Sequence, residues 1–185
     1  MTSQIYNWKR FWCPRTGNIN LTDGGYLYDP DSEWGQIYNP NVVPYESIAK
    51  VPCLILLGEP GIGKSYTMKV ERNAIHTRIE EEGGQALWLD LRAYGSEDRL
   101  IRALFEDAIF VSWAKGKHPL YIFMDSLDEC LLRIDNLASI LIEEFKKYPV
   151  EQLYLRIACR TAEWPNGLEE GLKQLELEPE KFKKF

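Results

Sequence analysis

Four short apolar runs recur along the chain, separated by longer stretches in which apolar residues repeat at helical spacing. Continuous apolar runs are typical of strands buried on both faces of a parallel sheet, and i, i+3, i+4 spacing is typical of amphipathic helices. The pattern therefore predicts an α/β fold, a mostly parallel sheet with helices on both faces. The predicted strands cover residues 51–57, 86–91, 120–124 and 153–159, and the predicted helices cover 64–82, 100–109 and 134–145.

The first 45 residues differ in composition from the rest of the chain, with many aromatic residues between prolines, glycines and asparagines. Asp23-Gly24-Gly25 predicts a tight turn, and its flanks, 19–21 and 26–28, predict the strands of a β-hairpin. The segment is too short to hold a core of its own. We therefore divide the chain into an aromatic-rich N-terminal extension, residues 1–45, and a core, residues 46–185. At the other end, residues 169–184 alternate in charge and predict a solvated helix and linker.

Composition and charge narrow the classes of function. The formal net charge of −6 argues against general affinity for nucleic acid, which needs clustered Lys and Arg. No apolar stretch approaches the roughly 18 residues that cross a bilayer, and residues 1–4 lack the features of a secretion signal. The cysteines lack the paired spacing of a zinc ribbon or disulfide framework, which favours a reducing cytoplasm. They are Cys13, Cys53, Cys130 and Cys159.

Directly after the first predicted strand, Gly58 to Ser65 matches the phosphate-binding pattern G-x-x-x-x-G-K-[ST]. Such a loop offers backbone N–H groups to a phosphate at the positive end of a helix dipole. Lys64 is expected to reach the β- and γ-phosphate oxygens, and the Ser65 hydroxyl is expected to bind Mg²⁺. The chain is therefore predicted to bind a nucleoside triphosphate. The predicted contacts are Gly58, Glu59, Pro60, Gly61, Ile62, Gly63, Lys64, Ser65 and Tyr66.

Acidic residues follow the third predicted strand. Asp125 stands at its carboxyl end, the Walker B position, where a carboxylate holds Mg²⁺ directly or through water. Asp128 and Glu129 come next, where a carboxylate can orient and deprotonate an attacking water. We favour Glu129 over Asp128 as that base. Arg160, directly after the fourth strand, is expected to face the γ-phosphate, with an ordinary surface arginine as the alternative.

These motifs together resemble the NACHT-type ATPases, which belong to the STAND class of signal-transduction NTPases within the AAA-like group. The Walker B pattern of that family has four apolar residues, Asp, a small residue, an apolar residue and Asp-Glu. Residues 121–129 follow it position by position. The family's third motif usually reads Thr-Ser-Arg-Pro. Here Cys159 replaces Ser, and Pro165 comes five residues after Arg160.

The resemblance spans residues 46–175 and implies a three-layer P-loop NTPase core with the sheet order 2-3-4-1. It implies an ATP- and Mg²⁺-dependent switch that assembles with itself or with a protein partner. Bacterial relatives often serve in antiviral defence. The family continues with a fifth strand, a helical lid and a winged-helix domain. This sequence stops where the fifth strand would begin, so we expect a core truncated at its C-terminal side.

Two other functions fit parts of the sequence. One is a nucleotide-binding interaction module that does not hydrolyse ATP. The other is a P-loop kinase acting on a small molecule. Such kinases typically carry an arginine-rich lid after the third strand, whereas residues 126–150 contain only Arg133. The leading prediction is the ATP-hydrolysing switch.

Overall fold

The chain divides into two units after Lys50. In the computed structural model, which describes residues 9–22, 24–175 and 182–185, one unit is Met1–Lys50 with Phe185 and the other is Val51–Lys184. The division predicted from the sequence lies after residue 45. All the motif residues named above belong to the larger unit.

The smaller unit contains a two-stranded antiparallel ladder. Strand β1 (Phe11–Trp12) pairs with β2 (Val43–Pro44), and helix α1 (Glu33–Tyr38) lies between them in the chain. Ser32 starts α1, because its hydroxyl accepts a hydrogen bond from the Gly35 N–H at 3.0 Å.

The hairpin predicted around residues 23–25 is wrong, although part of its turn is present. Gly25 N donates to Thr22 O and Thr22 N donates to Tyr26 O, but the described residues of the two flanks are not strands. Asp23 lies outside the described residues. The Asn39 side chain takes the place of a partner strand, because it accepts from Asn20 N at 2.6 Å and donates to Asn20 O at 2.9 Å.

The larger unit is built on a five-stranded parallel sheet. The predicted order 2-3-4-1 is found as β4-β5-β6-β3, and β7 extends the sheet beyond β3. The helix that follows β3, α2 (Lys64–Glu82), lies between two glycines: Gly63 precedes it, and Gly83, at φ 71°, ends it. The strands are β3 (Cys53–Leu57), β4 (Gln85–Asp90), β5 (Leu120–Asp125), β6 (Leu153–Cys159) and β7 (Phe182–Lys184). The helices are α2 (Lys64–Glu82), α3 (Glu97–Phe105), α4 (Ala108–Lys115), α5 (Ile134–Phe145) and α6 (Asn166–Gln174).

Helices cover both faces of this sheet. Alternate residues of each strand, such as Leu155 and Ile157 of β6, join a core cluster with the buried residues of α3, α4, α5 and α6. The residue between them, Arg156, points the other way and binds Glu71 of α2. The unit is therefore an α/β fold with α2 on one face and the remaining helices on the other.

The single helix predicted over 100–109 is wrong, because the structure has two helices there. Asp107 ends the run by capping α4: its carboxylate accepts from Ile109 N at 2.8 Å. The break lets Phe105 and Phe110 meet edge to face, with ring centroids 5.0 Å apart, inside the core.

The solvated helix predicted in the tail is also wrong where the structure describes it. Helix α6 buries Leu168, Gly171 and Leu172, and it packs on α5 so closely that a Cβ at Gly171 would lie 2.4 Å from Ile142 Cγ1. Glu169 accepts hydrogen bonds from Trp164, Lys173 and Lys184, which connects α6 to β7. Residues 176–181 of the predicted linker lie outside the described residues.

None of the helices in the described part of the chain combines the length and apolar character needed to span a membrane.

Candidate functional site

A polar cleft of about 280 Å³ opens at the carboxyl ends of the parallel strands. It lies where the chain leaves β3 toward α2 on one face and leaves the neighbouring β6 toward α6 on the other. Adjacent strands whose connections leave on opposite faces form the crevice in which α/β sheets bind ligands. The cleft is lined by Pro60, Gly61, Gly63, Lys64, Ser65, Tyr66, Arg92, Asp125, Ser126, Asp128, Glu129 and Arg160.

The loop between β3 and α2 has the backbone shape that its glycines allow. Gly58 has φ 152° and Gly63 has φ 101°, values at which a side chain would strain the backbone. A Cβ on Gly58 would also lie 2.0 Å from Ile62 Cδ1. The loop thus turns directly from a buried strand into the first turn of α2, whose N–H groups have no partners within the helix.

Lys64 extends back over this loop. Its Nζ donates to the backbone carbonyls of Gly58 and, at 3.1 Å, Glu59. Of the predicted phosphate contacts, Gly58, Glu59 and Ile62 do not line the cleft, and the first two instead contribute carbonyls to Lys64. The ammonium group is therefore held at the cleft by weak neutral acceptors that an anionic oxygen would outcompete.

Ser65 and Asp125, the two residues predicted to bind Mg²⁺, meet across the cleft. The Ser65 hydroxyl donates to Asp125 Oδ1 at 2.8 Å, and Asp125 is 5% exposed at the end of β5. Within the described residues, no group of three or more His, Cys, Asp or Glu side chains is arranged to hold a metal ion. One hydroxyl and one carboxylate nevertheless suit Mg²⁺, which prefers oxygen ligands and keeps most of its waters or takes phosphate oxygens.

The chain reverses direction immediately after Asp125. Ser126 adopts the left-handed conformation, φ 59° and ψ 48°, which is costly for a non-glycine residue. A single 3₁₀ turn, Leu127–Glu129, follows and is anchored by the fully buried Leu127. As a result, both Asp128 and Glu129 return to the cleft.

The two carboxylates have different environments. The Asp128 side chain is 5% exposed and accepts from the backbone N–H of Arg160 at 2.9 Å, whereas the Glu129 side chain is 43% exposed. Asp128 is thus fixed by the end of β6, and Glu129 is free to meet water. The choice of Glu129 over Asp128 as the base stays a prediction.

Arg160 lies between these carboxylates. Its Nε is 2.9 Å from Asp128 Oδ2 and its Nη2 is 3.5 Å from Glu129 Oε1. The Nε–H nevertheless finds no hydrogen-bond acceptor among the described residues, because it does not point at the nearby oxygen. The guanidinium is therefore attracted to the carboxylates without being locked to them.

The cysteine at the end of β6 takes no part in this chemistry. Cys159 is buried, and burial, reinforced by the charge of Asp128, raises the pKa of its thiol to about 12. A thiol in that state is a poor nucleophile, so Cys159 acts as a small buried hydrophobic residue. Cys53 has the same role, since burial raises the pKa of its thiol to about 12 as well.

A buried ion pair beneath α2 was not predicted. Arg156 is fully buried in the middle of β6 and donates from Nε to Glu71 Oε1 at 2.8 Å. Its Nη1 donates to the carbonyls of Val51 at 2.7 Å and Leu155 at 3.0 Å. The sequence did contain a signal for this pair: Arg156 lies inside an apolar run, and a buried charge requires a partner.

Arg92 was also missed as a residue of the cleft. It follows β4, whose end has no motif, and it lies beside Asp125 and Glu129 only because β4 pairs with β5. The sequence signal for Arg92 was its position just after a predicted strand, because ligands bind at the carboxyl ends of the strands in a parallel sheet.

A comparison of the sequence with models of known protein families gave no match, and neither did a comparison with curated proteins. What the chain does is therefore inferred from the residues of the cleft and from the fold that assembles them.

Proposed function

We propose that this chain is an ATP-binding and ATP-hydrolysing switch with a three-layer P-loop NTPase core of the NACHT type. The observation that carries the proposal is the 2.8 Å contact between Ser65 and Asp125 in a cleft that also holds Lys64, Glu129 and Arg160. Residues distant in sequence, from the ends of β3, β5 and β6, supply there the groups that phosphoryl chemistry needs.

Each residue then has a role in hydrolysis. Lys64 neutralises the β- and γ-phosphate oxygens, and the N–H groups of the loop hold them at the start of α2. Mg²⁺, held by Ser65 and Asp125, would supply further positive charge to the same oxygens. Glu129 accepts a proton from the water whose oxygen attacks the γ-phosphorus, as the bond from that phosphorus to the β-phosphate oxygen breaks. Asp128 holds Arg160 beside the cleft until the nucleotide binds, and Arg160 then turns to stabilise the charge on the transferred phosphoryl group.

Binding is the first test. We expect Mg²⁺-ATP to bind the wild-type chain, and Lys64→Ala to weaken binding about 100-fold, because a charge-assisted contact is lost in a partly enclosed cleft. Isothermal titration calorimetry measures both values. Lys115→Ala, which removes an exposed lysine of α4 outside the cleft, is the matched control. Equal affinities for wild type and Lys64→Ala would contradict the proposal.

Hydrolysis is the second test. Glu129→Gln should lower phosphate release at least 100-fold while ATP still binds, because a general base contributes about 10²–10⁴-fold. Glu143→Gln, an exposed glutamate of α5, is the control and should match wild type.

A nucleotide-binding module without hydrolysis is the second candidate. It is favoured by one observation: Arg160 lies 3.5 Å from Glu129, where it compensates the charge that a base would use. Phosphate release at background in wild type and Glu129→Gln alike, with intact ATP binding, would favour this module.

A further inference from the structure

Arg92 stands at the far end of the cleft from the phosphate-binding loop. The strand order β4-β5-β6-β3 places three strand spacings, about 14 Å, between the ends of β4 and β3. Arg92 nevertheless lines the same cleft as Lys64 and Ser65. A ligand whose inner phosphates rest on the loop would reach Arg92 only with its outermost group.

Local structure directs Arg92 toward this cleft. The residue lies in the 3₁₀ turn Leu91–Ala93, which the fully buried Leu91 anchors to the core. The carboxylate of Asp90, the last residue of β4, accepts from Arg92 N at 3.2 Å, Nε at 2.8 Å and Nη2 at 2.6 Å. The turn contacts the turn Leu127–Glu129 next to it. The guanidinium is thus held above the ends of β4 and β5.

This pairing leaves Arg92 available to an anion. The side chains of Arg92 and Asp90 are 55% and 39% exposed, and their pairing uses Nε and Nη2 of the guanidinium but not Nη1. Asp90, the strongest influence on Arg92, raises the pKa of the guanidinium, and Glu129 and Asp125 act in the same direction from the cleft side. Arg92 therefore keeps its positive charge in the same cleft as Asp125 and Glu129.

Arg92 also affects the balance of side-chain charge in the cleft. Among the described residues, three cationic side chains line the cleft together with three acidic ones, so loss of Arg92 would leave the acidic side chains in excess where a polyanion must bind. The cationic residues are Lys64, Arg92 and Arg160, and the acidic residues are Asp125, Asp128 and Glu129.

We infer that Arg92 binds the terminal phosphate of a nucleoside triphosphate and makes the cleft prefer the triphosphate over the diphosphate. The inference rests on the proposed function, since it assigns a contact in the same site. Lys64 serves both nucleotides, whereas Arg92 contacts only the group that ADP lacks.

The test measures the affinities of wild type, Arg92→Ala, Arg92→Lys and Lys64→Ala for Mg²⁺-ATPγS and Mg²⁺-ADP by calorimetry. Arg92→Ala should bind ATPγS about 10- to 100-fold more weakly and ADP within about threefold of wild type, because one charge-assisted contact is lost. Arg92→Lys should retain part of the preference. Arg99→Ala, an exposed arginine of α3 outside the cleft, should bind both nucleotides as wild type does.

The other outcomes separate the two proposals. If Arg92→Ala binds both nucleotides as wild type does, or loses both equally, the inference about Arg92 is wrong while the proposed function stands. If wild type binds neither nucleotide, the proposed function itself fails. Retained ADP affinity in Arg92→Ala also reports that the variant is folded.

Discussion

Two arginines four residues apart, one within β6 and one just past its end, occupy opposite kinds of environment. Arg156, in the middle of β6, has no exposed surface and donates to Glu71 and to backbone carbonyls. Arg160, just past the end of β6, is 43% exposed, and its Nε–H makes no hydrogen bond to the carboxylate 2.9 Å away. A charge enclosed by acceptors is part of the fold, whereas a charge at the sheet edge can change partners. The interior of β6 therefore supports the cleft, and its end can act within it.

The largest loss of stability is expected when the buried ion pair of Arg156 and Glu71 is broken. Arg156→Ala leaves Glu71 charged and buried, which should lower the free energy of unfolding by about 3–5 kcal/mol. Urea unfolding followed by circular dichroism measures the change. The double variant Glu71→Leu/Arg156→Met is the control: it should be more stable than Arg156→Ala, because it removes both charges together. A loss under about 1 kcal/mol in Arg156→Ala would contradict the structural role.

A smaller loss of stability is expected when Glu169 is replaced, because its ion pairs with Lys173 and Lys184 are less buried than the pair of Arg156 and Glu71. Burial alone would raise the pKa of Glu169, but hydrogen bonds from Lys173, Lys184 and Trp164 outweigh it and hold the pKa at about 2. A lowered pKa stabilises the folded state above the unfolded value, about 4.5, and this contribution disappears as pH falls toward 2. Glu169→Gln should cost about 1–3 kcal/mol at pH 7.

The pH dependence sharpens that test. The difference in unfolding free energy between wild type and Glu169→Gln should shrink as the pH falls from about 4.5 toward 2, which urea unfolding at several pH values measures. A difference that is constant with pH would show that packing, and not the carboxylate charge, connects α6 to β7.

The smallest expected change in stability is at Arg160. Arg160→Ala should alter the free energy of unfolding by less than about 1 kcal/mol, because the Arg160 side chain is 43% exposed and Asp128 keeps its backbone hydrogen bond. The same variant should lower phosphate release in a malachite-green assay. Comparison with Arg156→Ala under identical conditions completes the contrast. Destabilisation as large as that of Arg156→Ala would remove the distinction between the two arginines.

The sheet could be predicted because parallel strands are buried on both faces and therefore appear as continuous apolar runs. The strand predicted over 153–159 is β6, and the helix predicted over 64–82 is α2, whose ends the glycines at 63 and 83 mark. The contact between Ser65 and Asp125 followed from the meeting of strand ends at one edge of the sheet.

What could not be predicted depends on contacts between distant residues. Glu71 has the spacing of the buried face of α2, between Met68 and Ile75, yet its partner Arg156 is 85 residues away. The hairpin failed because the Asn39 side chain, distant in sequence, bonds the backbone of Asn20. Arg92 was missed because only the pairing of β4 with β5 brings it to the cleft.

The most direct test is a crystal structure of the chain with Mg²⁺ and a non-hydrolysable ATP analogue. We expect the phosphates to lie on the loop from Gly61 to Ser65, with the ion at Ser65 and Asp125. Arg160 should turn from Asp128 to the terminal phosphate, and the bond between Arg156 and Glu71 should be unchanged. A nucleotide bound elsewhere, or Arg160 still paired with Asp128 beside a bound triphosphate, would contradict the account.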